Sequence, residues 1–462
     1  MKIPFGRFST EIQRQVQCRI CTSFFNIFSK QIGPKISSPS VTCFVPQTQR
    51  LFHSWSHVSP APPDPILGLT MDFRQDMHPN KVDLGVGAYR DDNGQPWILE
   101  SVKLAEMKRH QEMISSISSP LNPDGILFSK NHEYLPIAGS KRFVELAVAL
   151  AYGPCIENRS IVACQSLSGT GALRLAAEWL KNFAQDKILI PNPTWPNHHN
   201  IFSRAGFTIT AYRYWHAQNL ELDLEGLLTD LQEAPSGRIV LLHVCAHNPT
   251  GCDPTPDQWK AIEKVVAEKN HLVLFDMAYQ GFSSGDPDKD AWAVRYFVEK
   301  GHSVLLCQSF AKNMGLYGQR VGTFSFLCKD EAERKACESQ LYRIIRSIYS
   351  SPPIFGAEIV QYVLENETFR KRWQNDLIEM SQRIQSMRSN LFTILRDRYN
   401  LSWEHIMKQA GMFAYTGLSQ EQVQKLRETH IYMTADGRIS IAGLNTKNIE
   451  YVASKFAEVA SA

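Results

Sequence analysis

The sequence predicts an α/β fold, an open sheet of mostly parallel strands with helices packed on it, followed by a smaller α+β region. Three observations carry this. Short apolar runs alternate with helical patterns through the middle of the chain, the chemically distinctive residues fall directly after those runs, and the last third changes to one long helical pattern. In an open α/β sheet the carboxyl ends of parallel strands form the ligand crevice, so residues just beyond such runs face one site.

The runs come in order. Residues 187–190 lead to Asn192-Pro193-Thr194-Trp195, and 239–244 lead to His247-Asn248-Pro249-Thr250-Gly251. Residues 272–275 end at Asp276, and 304–307 lead through Ser309 to Lys312. Before them, Ser168-Gly169-Thr170-Gly171 precedes a segment, 172–184, with Leu175, Trp179 and Phe183 at helical spacing. A glycine-rich turn opening a helix offers free N–H groups and the positive dipole end to a phosphate. A nucleotide P-loop is excluded, because no Gly-Lys-Ser/Thr follows at the required spacing.

From Phe369 through Trp373, Leu377, Met380, Ile384, Met387 and Leu391 the apolar steps are threes and fours, which predicts one long helix. A turn at Asp436-Gly437, a strand over 438–442 and a helix carrying Ile449, Val452, Phe456 and Val459 complete the smaller region.

Composition excludes several functions. The chain has 462 residues, 43% hydrophobic and 21% charged, enough for a large core and two domains. No apolar run approaches the roughly 20 residues of a membrane span. The net charge of +3 is concentrated at the start, where the first 52 residues hold seven Lys/Arg and one acid, Glu11; 42 basic and 45 acidic residues remain beyond them. No basic nucleic-acid face is expected. Arg7, Arg14 and Arg19 among Ile12, Val16, Ile20 and Phe24, with six serines, read as an amphipathic mitochondrial presequence over 1–53. A plastid address stays open as the alternative.

Of ten cysteines, Cys18, Cys21 and Cys43 fall in that segment, and the other seven show no paired spacing. No metal site is expected, and the thiols suit a reducing compartment.

Lys312 carries the functional expectation. A lysine just beyond a strand-like run can be a Schiff-base nucleophile, and Ser309 and Arg320 bring a hydroxyl and a cation for a phosphate on its aldehyde partner, as pyridoxal phosphate requires.

Seven strings then carry a resemblance. They are Leu84-Gly85-Val86-Gly87-Ala88-Tyr89-Arg90, Glu133-Tyr134-Leu135-Pro136, the Ser168 to Ala172 turn, His247 to Gly251, Asp276-Met277-Ala278-Tyr279-Gln280-Gly281, Ala311 to Gly318 and Gly437-Arg438-Ile439. From Trp55 onward the chain resembles the aspartate aminotransferases of the fold-type I pyridoxal-phosphate family, mitochondrial type.

The resemblance implies a large domain over 98–379 that binds pyridoxal 5'-phosphate, with a mixed, mostly parallel sheet flanked by helices. It implies a smaller α+β domain built from both chain ends, 70–97 and 380–462, and an N-terminal arm over 54–69. The reaction it implies is ping-pong transamination between L-aspartate and 2-oxoglutarate through pyridoxamine phosphate, giving oxaloacetate and L-glutamate in the mitochondrial matrix. A broader or aromatic preference, or a non-catalytic paralogue acting as a scaffold, stays open.

Residue by residue, the resemblance makes Lys312 nucleophile and proton shuttle, and sets Asp276 against the pyridine nitrogen with His198 behind it. Tyr279 and Asn248 would contact the phenolic oxygen, and Trp195 would stack on the ring. Ser168, Gly169, Thr170, Ser309 and Arg320 would hold the phosphate, joined by Tyr134 of a second subunit in a homodimer. Arg438, assisted by Trp195, Asn248 and the Gly87 backbone, would grip the α-carboxylate, and Arg346 of the second subunit the distal one. Asn192-Pro193 and Asn248-Pro249 match the family's cis-proline positions. One departure is a longer stretch over 113–129, serine- and proline-rich, expected as a surface loop just before Tyr134.

Overall fold

The computed structural model describes residues 55–61, 66–117 and 132–461. The presequence region 1–53 and most of the expected insertion lie outside the described residues. The described residues from Ile66 onward form one compact unit.

Its centre is a seven-stranded sheet. In chain order the strands are β1 (Ser160–Leu167), β2 (Lys187–Asn192), β3 (Thr208–Arg213), β4 (Ile239–His243), β5 (Leu272–Met277), β6 (Leu305–Ser309) and β7 (Val321–Cys328). Their spatial order is β1-β7-β6-β5-β4-β2-β3. Only β7 runs antiparallel to its neighbours β1 and β6; the remaining pairs are parallel, giving the mixed, mostly parallel sheet expected.

The apolar runs form strands because both faces of the sheet are covered. Leu189, Val240, Leu242, Val273, Phe275 and Leu306 pack into one core, and the alternate residues Ile188, Ile190, Ile239, Leu241, Leu274 and Leu305 into another. That period of two with apolar residues on both sides is the mark of a doubly covered parallel sheet. Burying one such side chain contributes about 1.5–3 kcal/mol, so register is strongly specified. The register sets His243 opposite Asp276 and Asp276 opposite Cys307, so the functional ends of three strands share one rung.

Five helices matter to the site: α1 (Glu100–Ile117), α2 (Ser168–Phe183), α3 (Asn197–Arg204), α4 (Glu331–Ile348) and α5 (Glu367–Tyr399). The glycine-rich motif 168–171 does not precede α2 but forms its first turn; the helix begins at Ser168 itself. Helix α1 runs on through Ile117, so residues 114–117 of the expected loop are helical. Helix α5 spans 33 residues, longer than the apolar pattern required. The Asn366 side chain accepts from Phe369 N–H at its start, and Asn400, left-handed at φ 53°, ends it.

The strand expected over 438–442 stops at Ser440, and 441–443 forms a 3-10 turn. The pairing ends where its partner strand Phe413–Tyr415 does, with Phe413 opposite Ser440, and beyond it Gly443 passes so close to the strand Val82–Asp83 that a Cβ would lie 2.3 Å from the Asp83 carbonyl oxygen. That strand pairs in parallel with Ile431–Tyr432, joining the two ends of the described chain.

Candidate active site

The four expected strand ends converge on a cavity of about 640 Å³. Lys312, Asp276, Tyr279, Asn248 and Trp195 line it, as do Ser168, Gly169, Thr170, Ser309, Arg320, Gly87 and Arg438. His198 lies buried behind Asp276 rather than in the lining. Asn192-Pro193 and Asn248-Pro249 are both cis.

Lys312 sits two residues past the last bond of β6 to β7, which aims it into the crevice. Its Nζ stands 5.0 Å from the Tyr279 ring centroid. Burial pulls its ammonium below the usual lysine value against the opposing charge of Asp276, with Arg320 adding to the depression. An amine so depressed supplies the neutral form that attacks a carbonyl.

Asp276 is held by a directed chain of hydrogen bonds. Asn248 N–H donates to His243 Nδ1 at 3.3 Å. A backbone N–H can only donate, so His243 carries its proton on Nε2 and donates to Thr194 Oγ1 at 3.3 Å. The Thr194 hydroxyl then donates to His198 Nδ1 at 2.8 Å, and His198 Nε2 donates to Asp276 Oδ2 at 3.1 Å. Burial pushes His243 down to about 3, keeping it neutral. Burial alone would raise Asp276; the His198 hydrogen bond, with the nearby Lys312, outweighs it and holds the carboxyl below its ordinary value. The site therefore presents a carboxylate to whatever lies in front of it. His198, His243 and Asp276 could together ligate a cation, but both nitrogens of both rings are already engaged in this chain.

At the opposite end, the first turn of α2 presents Ser168, Gly169 and Thr170. Ser168 Oγ and Ser309 Oγ are 2.9 Å apart, and Ser309 Oγ accepts from Ala311 N–H at 3.2 Å. Arg320 donates Nη1 to the Tyr317 carbonyl at 2.9 Å, which leaves other donors of its guanidinium for an anion. Helix start, two hydroxyls and a guanidinium fit a phosphate monoester.

Arg438 is only 2% exposed, donating Nη1 to Asn248 Oδ1 at 3.2 Å and Nη2 to the Gly85 carbonyl at 2.8 Å. Among the described residues no carboxylate lies at ion-pair distance from its guanidinium, Asp436 and Asp83 acting only from further off, and its Nε has no acceptor. Its guanidinium lies 4.4 Å from the Phe413 ring centroid. A buried guanidinium without a counter-ion is costly unless a ligand supplies the charge.

Two expected residues stand outside the cavity of this chain. Tyr134 is 83% exposed, and Arg346, exposed on α4, donates Nη1 to Ser350 Oγ. Sequence reasoning missed Thr194, His243 and Tyr317. The last lines the cavity and accepts from Tyr89 N–H at 2.8 Å, while His243 ends β4 and was findable as a strand end. It also missed Gly322, where a Cβ would sit 2.4 Å from the Gln308 carbonyl oxygen and 2.9 Å from Ser168 Cα, so that β7 can pass beneath the phosphate end.

The fold and this lysine-centred cavity define an enzyme that works on amines. The aminotransferase class I and II family profile matches residues 79–456, and the chain belongs to that family. It is 46% identical over 411 residues to the mitochondrial aspartate aminotransferase of Dictyostelium discoideum, covering 88% of this chain and 93% of the relative. Its fold is similar to the aspartate aminotransferase of Saccharomyces cerevisiae cytoplasm, with a TM-score of 0.82 at 45% identity, covering 87% of this chain and 98% of the other. An aromatic-amino-acid aminotransferase from Burkholderia pseudomallei, covalently bound to pyridoxal phosphate, matches with a TM-score of 0.80 at 38% identity over 87% of this chain and 98% of that one.

Proposed function

We propose that the protein transfers the amino group between L-aspartate and 2-oxoglutarate, giving oxaloacetate and L-glutamate, with pyridoxal 5'-phosphate as cofactor. The observation that carries this is Arg438, a buried guanidinium with no carboxylate at ion-pair distance, in the same cavity as the depressed amine of Lys312.

The residues present fit the cofactor at each end. Ser168, Gly169, Thr170, Ser309 and Arg320 would hold its phosphate, Asp276 would serve its pyridine nitrogen, Trp195 its ring, and Tyr279 and Asn248 its phenolic oxygen. Bound there, pyridoxal phosphate supplies an aldehyde for amines and a protonated ring that accepts the electron pair left on the substrate α-carbon. Lys312 would hold the cofactor through its aldehyde, and its Nζ, when free, would stand as the base that takes the proton from the substrate α-carbon. Arg438 fixes the α-carboxylate with one edge of its guanidinium while Asn248 and Gly85 hold the other.

The exposure of Tyr134 and the position of Arg346 outside the cavity support a homodimer with composite sites, in which each side chain serves the partner's cofactor or distal carboxylate. Arg346 in that place selects dicarboxylates. The names of the relatives, with the basic N-terminal segment, support import to the mitochondrial matrix.

The test is L-glutamate formation by purified protein given L-aspartate, 2-oxoglutarate and pyridoxal phosphate. Turnover with those acids that is absent when alanine replaces aspartate supports the reading. Equal turnover with both amino acids, or none with either, contradicts it.

A further inference from the structure

Two carboxylates beside the cavity play no part in the chemistry above. Asp253 accepts from Ala246 N–H at 2.7 Å and from His247 N–H at 2.8 Å. Asp290, buried, accepts from Gly281 N–H at 2.8 Å, Ser283 N–H at 3.0 Å and Ser284 N–H at 3.2 Å. The Ser283 hydroxyl donates to Asp253 Oδ2 at 3.2 Å and so joins the two. Among the described residues neither carboxylate has an ion-pair partner. Burial raises both above the usual carboxylate range.

The loops they hold are those that carry the site. Ala246 sits in the left-handed region at φ 50°, a conformation disfavoured for a residue with a Cβ, and two residues later Asn248 meets Arg438. Gly411 packs so closely on this turn that a Cβ there would lie 2.4 Å from the Ala246 Cβ. Gly281, at φ 86°, closes the turn that follows Tyr279, where Phe282 N–H bonds the Tyr279 carbonyl at 2.8 Å. The N–H donors at both turns offset only part of the cost of burying two acids without cations, since both carboxyls stay above the usual range.

We propose that Asp253 and Asp290, tied together through Ser283, are positioning residues that fix the Asn248 and Tyr279 side chains against one edge of the cavity. The inference rests on the roles given above to Asn248 and Tyr279. Asp253→Asn retains size but turns an amide NH₂ toward one of the two N–H donors, so one bond at the Ala246 turn is lost.

The experiment is a double-mutant cycle between Asp253→Asn and Asn248→Ala on protein loaded with pyridoxal phosphate. Two quantities are read, KM for L-aspartate against kcat and the pH midpoint of the visible absorption of the bound cofactor. Asp253→Asn alone is expected to raise KM about tenfold and move the midpoint, and to do less than about twofold in the Asn248→Ala background. Effects that multiply, or an Asp253→Asn protein with an unmoved midpoint and KM, overturn the proposal. Ser283→Ala removes one hydroxyl and serves if Asp253→Asn does not fold. It is expected to shift both quantities in the same direction by about two- to threefold, and no shift overturns the proposal. A wild-type protein that takes no cofactor or substrate would instead count against the proposed function itself, so the two failures are distinct.

Discussion

His198 donates its Nε2 proton to Asp276 Oδ2 across 3.1 Å, with the ring fully buried and the aspartate 8% exposed. The pair keeps a negative carboxylate in the interior, where burial alone would favour its neutral form. Such a carboxylate about 4 Å from the cofactor's pyridine nitrogen, at an effective dielectric of about 20, would favour the protonated ring by roughly 4 kcal/mol, about three pKa units.

Asp276→Asn therefore lowers kcat/KM for L-aspartate by about a thousandfold while the protein stays folded. His198→Gln, which keeps the carboxylate but removes its ring donor, costs less, on the order of tenfold. Steady-state kinetics with circular dichroism as a folding control decide this. Equal losses in the two variants would count against Asp276 as the charged partner.

Arg438→Lys removes the planar fork but retains the charge. The lysine keeps at most one of the bonds to Asn248 Oδ1 and the Gly85 carbonyl. KM for aspartate rises by at least about thirtyfold, since an interaction of 2 kcal/mol or more is lost. Arg346→Lys narrows the preference for dicarboxylates over monocarboxylates without weakening cofactor affinity. A substrate panel on both variants reads the difference, and unchanged preference in Arg346→Lys would remove it from the substrate role.

Asp290 gives stability a pH dependence of known sign. Burial, aided by repulsion from Asp253, pushes its carboxyl up to about 6 despite the N–H donors of Ser283, Ser284 and Gly281, and the Cys245 thiol facing it is uncharged because its pKa is raised by burial. A raised folded-state value means that protonation stabilises the fold. The contribution is fully present below the unfolded value near 4 and disappears as pH rises through about 6, an effect on the order of 2–3 kcal/mol. The melting temperature of Asp290→Asn relative to wild type should thus improve from pH 4.5 to about 6.5 and then level off, whatever its offset at low pH. A difference independent of pH contradicts the account.

Gly322→Ala drives a Cβ into three backbone atoms, the Gln308 oxygen and the Ser168 Cα and carbonyl carbon, none of which can rotate aside. Overpacking of this kind costs about 1–3 kcal/mol. Urea unfolding should show that loss, and pyridoxal phosphate affinity should fall with it because Ser168 opens the phosphate end. Loss of stability with full cofactor affinity would separate Gly322 from the site.

Much of this was legible because strands buried on both faces appear as short apolar runs, and β2, β4, β5 and β6 each carry their functional residue at or just past the end. Lys312, Asp276 and Asn248 were therefore visible one at a time. Their mutual geometry was not. The Thr194 to His243 bond joins residues 49 apart, and the close approach of Gly322 to Ser168 depends on β7 lying between β1 and β6, an order that no local pattern encodes. The helical extension of α1 through Ile117 was likewise hidden, because its serine-rich end lacks an apolar stripe. Tyr134 and Arg346 came only from resemblance, and in a single chain neither reaches the cavity.

The central claim is that Lys312 is the residue that binds the cofactor covalently. Borohydride reduction of the protein loaded with pyridoxal phosphate, followed by peptide mass mapping, tests it most directly. The account predicts a phosphopyridoxyl group on the peptide bearing Lys312 and none on Lys312→Ala. The group on a different lysine, or an unchanged yield from Lys312→Ala, would contradict it.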